Sequence, residues 1–230
     1  MRSSVRCMCA MAVLVLAPAV PARAGQARQP RPAPRTAAAA PIGLRAYGIV
    51  DLDALAATDS FDAVVGTSHL PAFGGGVDVV NIWKHVFVRA AVTRARKSGS
   101  RVFVANGQVS SLGIPLTVTM TPVEVGGGWR FVSRKPSRLT PYAGVSFVSM
   151  GYTETSKFAD SSENTSERFT GQALFGGVEV RILKWLVASG EAQYRRVPNA
   201  LGTGGVSKDF GESDLGGVTA RVAIGIRTKK

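Results

Sequence analysis

The sequence feature that most constrains the fold is an alternation of apolar with polar or small residues, which recurs along most of the chain after residue 42. The last such segment shows it most clearly, because Val218, Val222 and Ile224 occupy even positions while Arg221 and Arg227 occupy odd ones. Successive side chains of a β-strand point to opposite faces, so the pattern predicts strands with one apolar and one charged face. Further segments with this pattern are 44–54, 172–182 and 186–195. The pattern favours an all-β fold.

The alternation and the turn-forming residues between apolar stretches delimit eight candidate strands. They span residues 43–56, 74–82, 86–97, 113–131, 140–153, 169–182, 186–197 and 214–227. Pro122 lies inside the fourth strand. Because proline has no N–H to donate to a neighbouring strand, we expect a bulge or an exposed break there.

The connections between these strands alternate in length. The short ones are 83–85, 132–139 and 183–185, and the long ones are 57–73, 98–112, 154–168 and 198–213. In an up-and-down arrangement all short turns lie at one end, an asymmetry that is typical of outer-membrane barrels and has no basis in a soluble sandwich. We therefore predict an eight-stranded antiparallel up-and-down transmembrane β-barrel over residues 42–230, with both of its ends on the periplasmic side.

Three short motifs support this assignment. They are TPYAGV at 140–145, GWRF at 128–131, and GGVEVR at 176–181 followed by Lys184 and Trp185. In their order and spacing the chain, over about residues 42–230, resembles the small eight-stranded bacterial outer-membrane barrels, the OmpA-like and OmpW-like barrel domains. The resemblance implies a protein of the Gram-negative envelope that is inserted by the barrel-assembly machinery. It also implies interfacial aromatic side chains, for which we expect Trp83, Trp129, Phe131 and Trp185 at the short-turn end.

The first 24 residues have the features of a cleaved signal peptide. Arg2 and Arg6 form a positive region, residues 10–17 are apolar, and an Ala-Arg-Ala site ends at Ala24. Cys7 and Cys9 lie inside this segment, so the mature chain is expected to have no cysteine, which excludes disulfides and thiolate chemistry.

Residues 25–41 contain four prolines and three arginines, which favours a disordered, extended tether. A proline-rich docking segment is the alternative.

The net charge of +13 does not indicate a nucleic-acid partner. Three arginines belong to the predicted signal and three to the tether, which leaves +7 for the remaining chain. That charge is scattered, without a continuous basic face or an aromatic stacking platform.

The barrel interior is predicted to hold an ion-pair network. An eight-stranded barrel is just wide enough for its own side chains, and buried charges are costly unless they are paired. The charged residues assigned to the inner face are Asp51, Asp53, Asp78, Arg89, Glu179, Arg181, Glu191, Arg195 and Arg221. We interpret them as a structural plug, with an ion pathway as the alternative.

The two histidines do not support catalysis or metal binding. His69 is placed in the first long loop and His85 in a short turn, so the proposed topology puts them at opposite ends of the barrel. Neither has a serine and an acid at the spacing that nucleophilic catalysis requires. We expect no cofactor and no metal.

A basic cluster is expected where the third strand enters the second long loop. Arg94, Arg96, Lys97 and Arg101 lie there, at a height where they can meet the phosphates of lipids or of lipopolysaccharide, or simply form a solvated rim.

The leading functional hypothesis is a monomeric, non-enzymatic outer-membrane barrel whose long loops serve envelope integrity or surface binding. A soluble periplasmic lipocalin-like barrel that binds an apolar ligand and a narrow solute channel are the alternatives.

Overall fold

The computed structural model describes residues 42–105, 108–133, 137–156, 158, 164–200 and 206–228. Within these ranges the chain forms eight strands and two helices. The strands are β1 (Gly43–Leu55), β2 (His69–Ile82), β3 (Val86–Ala105), β4 (Gln108–Arg130), β5 (Leu139–Thr155), β6 (Thr165–Arg181), β7 (Leu186–Arg196) and β8 (Gly217–Arg227). Helix α1 spans Thr58–Val65, and α2 is a single turn, Val206–Asp209. The predicted signal peptide and tether lie outside the described residues.

The eight strands pair in sequence order, each antiparallel to the next, and β8 pairs with β1 to close a barrel. The predicted closed, antiparallel, up-and-down barrel is confirmed. In the described part of the chain no helix is long and apolar enough to cross a membrane.

The register of the strands gives the barrel its shear. A row of paired residues that starts at Arg45 on β1 runs once around the barrel and returns to β1 at Leu55, ten positions further along the strand. The row passes through Asp78, Arg89, Gly126, Ser146, Ala173, Arg195 and Gly217. An offset of this kind requires the strands to tilt against the barrel axis, typically by about 35–45°. The tilt brings inward side chains from distant strands to the same height.

The connection between β3 and β4 differs from the prediction. Residues 98–105 and 108–112 belong to strands and not to a loop, because β3 continues to Ala105 and β4 begins at Gln108. A register shift lies in this extension, because Ser100 pairs with Pro115 and Val102 with Ser111, so β4 has two more residues than β3 between these pairs. The period-two pattern does not reveal the extension, because residues 96–101 are all polar or glycine and show no alternation.

The first long connection is also partly ordered. Helix α1 fills its centre and buries Phe61 and Val65, and Gly66 ends the helix in the left-handed conformation with φ 75°. β2 begins at His69, so the prediction of a loop histidine is wrong: His69 is the exposed first residue of the strand.

Pro122 does not produce the expected bulge or exposed break. It is buried, and the pairing of β4 with β5 runs through the Pro122–Met150 pair without a shift. On the other side the register between β3 and β4 is the same before and after the proline. The ring faces the interior of the barrel, where its missing N–H is accommodated without displacement of the strand.

Candidate functional site

The outer surface of the barrel wall is apolar. The outward positions of the strands hold mainly aliphatic and aromatic residues; Val222, for example, is 58% exposed. These residues form an outer band that extends from the short turns to the level of Arg94 and Arg196. Among the described residues, no charged side chain points outward within this band. The band comprises Leu44, Ala46, Val50, Leu52, Phe73, Val77, Val88, Ala90, Val92, Val123, Val125, Ala143, Val145, Phe147, Leu174, Val178, Val180, Ala192, Tyr194, Ala220, Val222, Ile224 and Ile226.

The inner surface carries the charges. The buried ionic residues are Arg45, Asp51, Asp53, Asp78, Arg89, Glu124, Arg130, Glu179, Glu191, Arg195 and Arg221. A water-soluble barrel distributes its residues in the opposite way, with polar groups outside. The molecule is a β-barrel of inverted polarity.

In the half of the lumen nearer the loops, two arginines hold three carboxylates. Arg195 contacts Asp51, Asp53 and Glu124 at 3.4, 3.0 and 2.8 Å. Arg221 binds Asp51 at 2.8 Å and Glu124 at 3.1 Å. The Gln193 amide also donates to Glu124, at 3.4 Å. Asp53 also accepts a hydrogen bond from the Thr219 hydroxyl at 2.5 Å. Each carboxylate therefore has more than one donor, as a buried charge requires.

In the half nearer the short turns, Arg45 connects two carboxylates. Its guanidinium binds Asp78 at 2.6 Å and forms a close ion pair with Glu179. Glu179 also accepts from Arg130 at 2.8 Å. The Tyr47 hydroxyl donates to Asp78 at 2.9 Å.

Arg89 links the two halves. Its Nε lies 3.2 Å from Asp78, and its Nη1 lies 2.6 Å from Glu191, which is itself 3.6 Å from Arg221. Its Cζ lies 4.9–5.7 Å from the centroids of four aromatic rings, a range that permits cation–π attraction. The rings belong to Tyr47, Phe87, Tyr142 and Phe175. The ion pairs therefore form one continuous network, here called the lumen network.

Most members of the lumen network are among the residues predicted for the inner face. Eight of the nine residues assigned to the inner face are buried and ion-paired: Asp51, Asp53, Asp78, Arg89, Glu179, Glu191, Arg195 and Arg221. Arg181 is the exception and the assignment is wrong there, because it lies exposed at the end of β6 and donates to the Ser137 carbonyl oxygen at 2.8 Å.

Three network members are missing from the predicted set. They are Arg45, Glu124 and Arg130. Arg45 occupies an odd position on β1, as Asp51 does, so the alternation of the sequence already indicates that Arg45 faces the interior. The phase of Glu124 and Arg130 is harder to follow, because Gly126 and Gly128 at the intervening inward positions carry no polarity signal.

An apolar cluster covers the lumen network at the loop end. Leu55, Val118, Met120, Val148 and Met150 pack there with the α1 residues. Above them is a cavity of about 530 Å³, here called the mouth cavity, between α1, the extended β3–β4 hairpin, β5–β6 and the segment around α2. The mouth cavity is thus separated from the short-turn end by an apolar layer and an ionic layer.

Glu212 fixes one wall of the mouth cavity. Its carboxylate accepts hydrogen bonds from the backbone N–H groups of Asp59 and Ser60 at 2.8 and 2.9 Å, in the first turn of α1. Asp214 likewise accepts from the N–H groups of Val197 and Gly216, at 2.7 and 2.8 Å. Both carboxylates are thus used to hold the segment that follows α2.

On the opposite wall, the Tyr152 hydroxyl donates a close hydrogen bond to Glu154.

The predicted basic cluster divides between two environments. Arg94 and Arg96 are exposed and continue the outward face of β3 beyond Val92. Lys97 is also exposed, but it occupies an odd position and so belongs to the other face of the strand. Arg101 is half-buried and lines the mouth cavity. The structure therefore does not bring the four residues to one surface.

The aromatic residues at the short-turn end are exposed, with Trp83 at 84%. Trp129, Phe131 and Trp185 accompany it. His85 packs against Trp129 with 5.3 Å between ring centroids, so it lies at the end opposite His69. Within the described residues no group of three or more His, Cys, Asp or Glu side chains is arranged to hold a metal ion.

Comparison with known proteins gives similarity at the level of fold. No protein-family model and no curated protein matches the chain. The attachment invasion locus protein Ail of Yersinia pestis, solved with the heparin analogue sucrose octasulfate, is similar over 81% of this chain and 99% of that one, with 13% identity and a TM-score of 0.48. The N-terminal β-barrel domain of Pseudomonas aeruginosa OprF covers 81% and 97%, with 10% identity and a TM-score of 0.43. Neisserial surface protein A covers 82% and 97%, with 10% identity and a TM-score of 0.43.

Proposed function

We propose that this protein is a non-enzymatic barrel of the bacterial outer membrane, inserted as a monomer by the barrel-assembly machinery. Its short turns then face the periplasm, and the mouth cavity opens to the outside. The observation that carries the proposal is the inverted polarity of the wall, with apolar residues outside and paired charges within.

The apolar residues of the outer band indicate that the barrel wall is surrounded by lipid. Soluble monomers rarely expose a contiguous apolar patch larger than about 300–600 Å². Here exposed residues such as Val50, Val145 and Val222 come from strands around the whole circumference. A lipocalin-like protein needs the reverse arrangement, with an apolar interior that receives the ligand and a polar exterior. The buried ion pairs of Asp51 and Arg221 are incompatible with that interior.

The lumen network argues against a solute channel. Beside Arg45, Arg89 and Glu179 the lumen has a cavity of only about 20 Å³, which is room for about one water molecule. The apolar layer around Met120 and Met150 covers the network at the loop end. We interpret the interior as a structural plug that makes the barrel rigid.

The role that fits this architecture is structural, in envelope integrity or in binding at the cell surface. Arg94 and Arg96 support contact with lipid or lipopolysaccharide phosphates, because they follow directly on the apolar face of β3. The exposed aromatic residues at the other end, including Trp83 and Trp185, suit the periplasmic interface.

Cell fractionation combined with electrophoresis tests the proposal. We expect the protein in detergent-extracted outer membranes, and we expect unheated samples to migrate differently from heated ones because the closed barrel resists unfolding. Release of the protein by osmotic shock, with no change of migration on heating, would contradict an outer-membrane barrel and favour a soluble periplasmic protein.

A further inference from the structure

The mouth cavity has the size and shape of a binding site for a small molecule. Its volume of about 530 Å³ lies within the range of about 300–1,000 Å³ that ligand pockets occupy. The apolar layer and the lumen network close its floor. A molecule that enters from the loop end therefore cannot pass through, and the cavity is a place for binding rather than transport.

The inner part of the mouth cavity is apolar. Phe61 and Val64 of α1 lie on one side, and Leu116 and Val118 of β4 lie on another. Phe169 of β6 adds an aromatic ring. An apolar body placed here loses contact with water and gains contact with these side chains.

One wall of the cavity carries two carboxylates that have no cationic partner among the described residues. Tyr152 pairs directly with Glu167, and Glu154 pairs with Thr165, so the two glutamates are diagonal neighbours on β5 and β6. Both line the cavity. No described side chain forms an ion pair with either glutamate. This sets them apart from the carboxylates of the lumen network, each of which is paired with arginine.

The other polar groups of the cavity do not offset this negative charge. Glu212 and Asp214 add two further carboxylates, although backbone N–H groups already occupy them. Arg101 is the one guanidinium among the described lining residues. The cavity therefore has an acidic wall in a chain whose net charge is +13.

We propose that the mouth cavity binds amphipathic amines, with the apolar body against Phe61 and Leu116 and the ammonium group between Glu154 and Glu167. The rings of Tyr152 and Phe169 line the same wall and provide cation–π attraction to the ammonium group. That the ligand comes from outside the cell rests on the proposed function, whereas the binding itself depends only on the cavity.

Isothermal titration calorimetry on the full barrel in phospholipid nanodiscs tests the proposal. The probe is 4-phenylbutylamine, and 4-phenylbutanoate and 4-phenylbutanol are the anionic and neutral controls of the same shape. Titrations into empty nanodiscs correct for partition into lipid. We expect the amine to bind one-to-one and at least about tenfold more tightly than the alcohol, since hydrogen bonds to charged groups have that magnitude, and we expect no binding of the carboxylate.

The variants Glu154→Gln and Glu167→Gln keep the shape of the wall and remove its charge. We expect each to weaken binding of the amine about tenfold and to leave binding of the alcohol unchanged. Asp62→Asn is the matched control, because Asp62 is exposed on α1 outside the cavity lining, and it should bind like the unaltered protein.

Equal affinity for amine and carboxylate, or amine binding that survives the double glutamine variant, would overturn the proposal. The electrophoretic shift of unheated protein is measured on the same samples. A protein that shows the shift but binds no amine refutes only the ligand, whereas a protein without the shift in any variant refutes the outer-membrane barrel.

Discussion

Asp51 and Arg221 form a bidentate ion pair between β1 and β8, where the last strand pairs with the first. Nε and Nη2 of Arg221 each lie 2.8 Å from a carboxylate oxygen of Asp51. The two residues are direct partners in the register of β1 and β8. The side chain of Asp51 is completely buried, so its charge depends on this guanidinium and on Arg195.

Asp51→Ala is expected to destabilise the barrel by about 3–5 kcal/mol, because it leaves buried guanidinium groups without their counter-ion. Urea unfolding in lipid vesicles, followed by tryptophan fluorescence, measures the loss. The exposed Asp62→Ala variant is the control and should change the free energy of unfolding by less than about 0.5 kcal/mol. The double variant Asp51→Leu with Arg221→Met should be more stable than either single variant, and a double variant that is less stable would contradict a paired-charge plug.

Val222→Arg tests the environment of the outer face. Val222 is exposed at the middle of β8, where an arginine in lipid costs about 2–4 kcal/mol. Ile182→Arg is the matched control, since Ile182 is exposed just beyond the end of β6 and an arginine near the interface costs only about 0–1 kcal/mol. Equal effects of the two substitutions on unfolding in vesicles would argue against a lipid-facing wall.

Planar-bilayer recording tests the plug. The network around Arg195 and the apolar layer at Met150 fill the lumen, so the inserted protein should give no large, steady conductance. A steady conductance that scales with the number of inserted molecules would show that the interior is an ion pathway.

Arg94→Ser combined with Arg96→Ser tests the contact with lipid phosphates. Each arginine near an anionic surface contributes about 1 kcal/mol, so the double variant should bind lipopolysaccharide about 30-fold more weakly. Lys84→Ser with Lys184→Ser, at the short-turn end, is the control and should bind as the unaltered protein does. Surface plasmon resonance on nanodisc-embedded protein measures both, and unchanged binding by the Arg94/Arg96 variant means that these residues are a solvated rim.

Much of this fold can be predicted from the sequence, because the side chains of a barrel strand alternate strictly between the inner and the outer face. The alternation around Val222 and Arg221 identifies both faces of β8, and the same reasoning identifies eight of the buried ionic residues. Alternation does not show where the lumen ends. Arg181 has the same phase as Glu179 but lies beyond the buried region, so its side chain reaches Ser137 instead.

The loop end was less predictable, for physical reasons. Residues 96–101 of β3 are all polar or glycine, so the extension of the hairpin cannot be followed by alternation. Helix α1 is short and depends on tertiary contacts such as that between Glu212 and the N–H of Asp59. The mouth cavity forms only when these distant segments meet, and no local pattern encodes it.

The most direct test of the central claim uses single-cysteine variants on β8 and on α1. Both cysteines of the chain, Cys7 and Cys9, lie in the predicted signal peptide, so a single label can be introduced at Val222 and, as a control, at the exposed Asp59 of α1. A fluorophore at Val222 of the vesicle-reconstituted barrel should be quenched by spin-labelled lipid tails and protected from aqueous iodide, with the reverse at Asp59. Quenching of the Val222 label by iodide but not by lipid would contradict a barrel whose apolar face lies in the membrane.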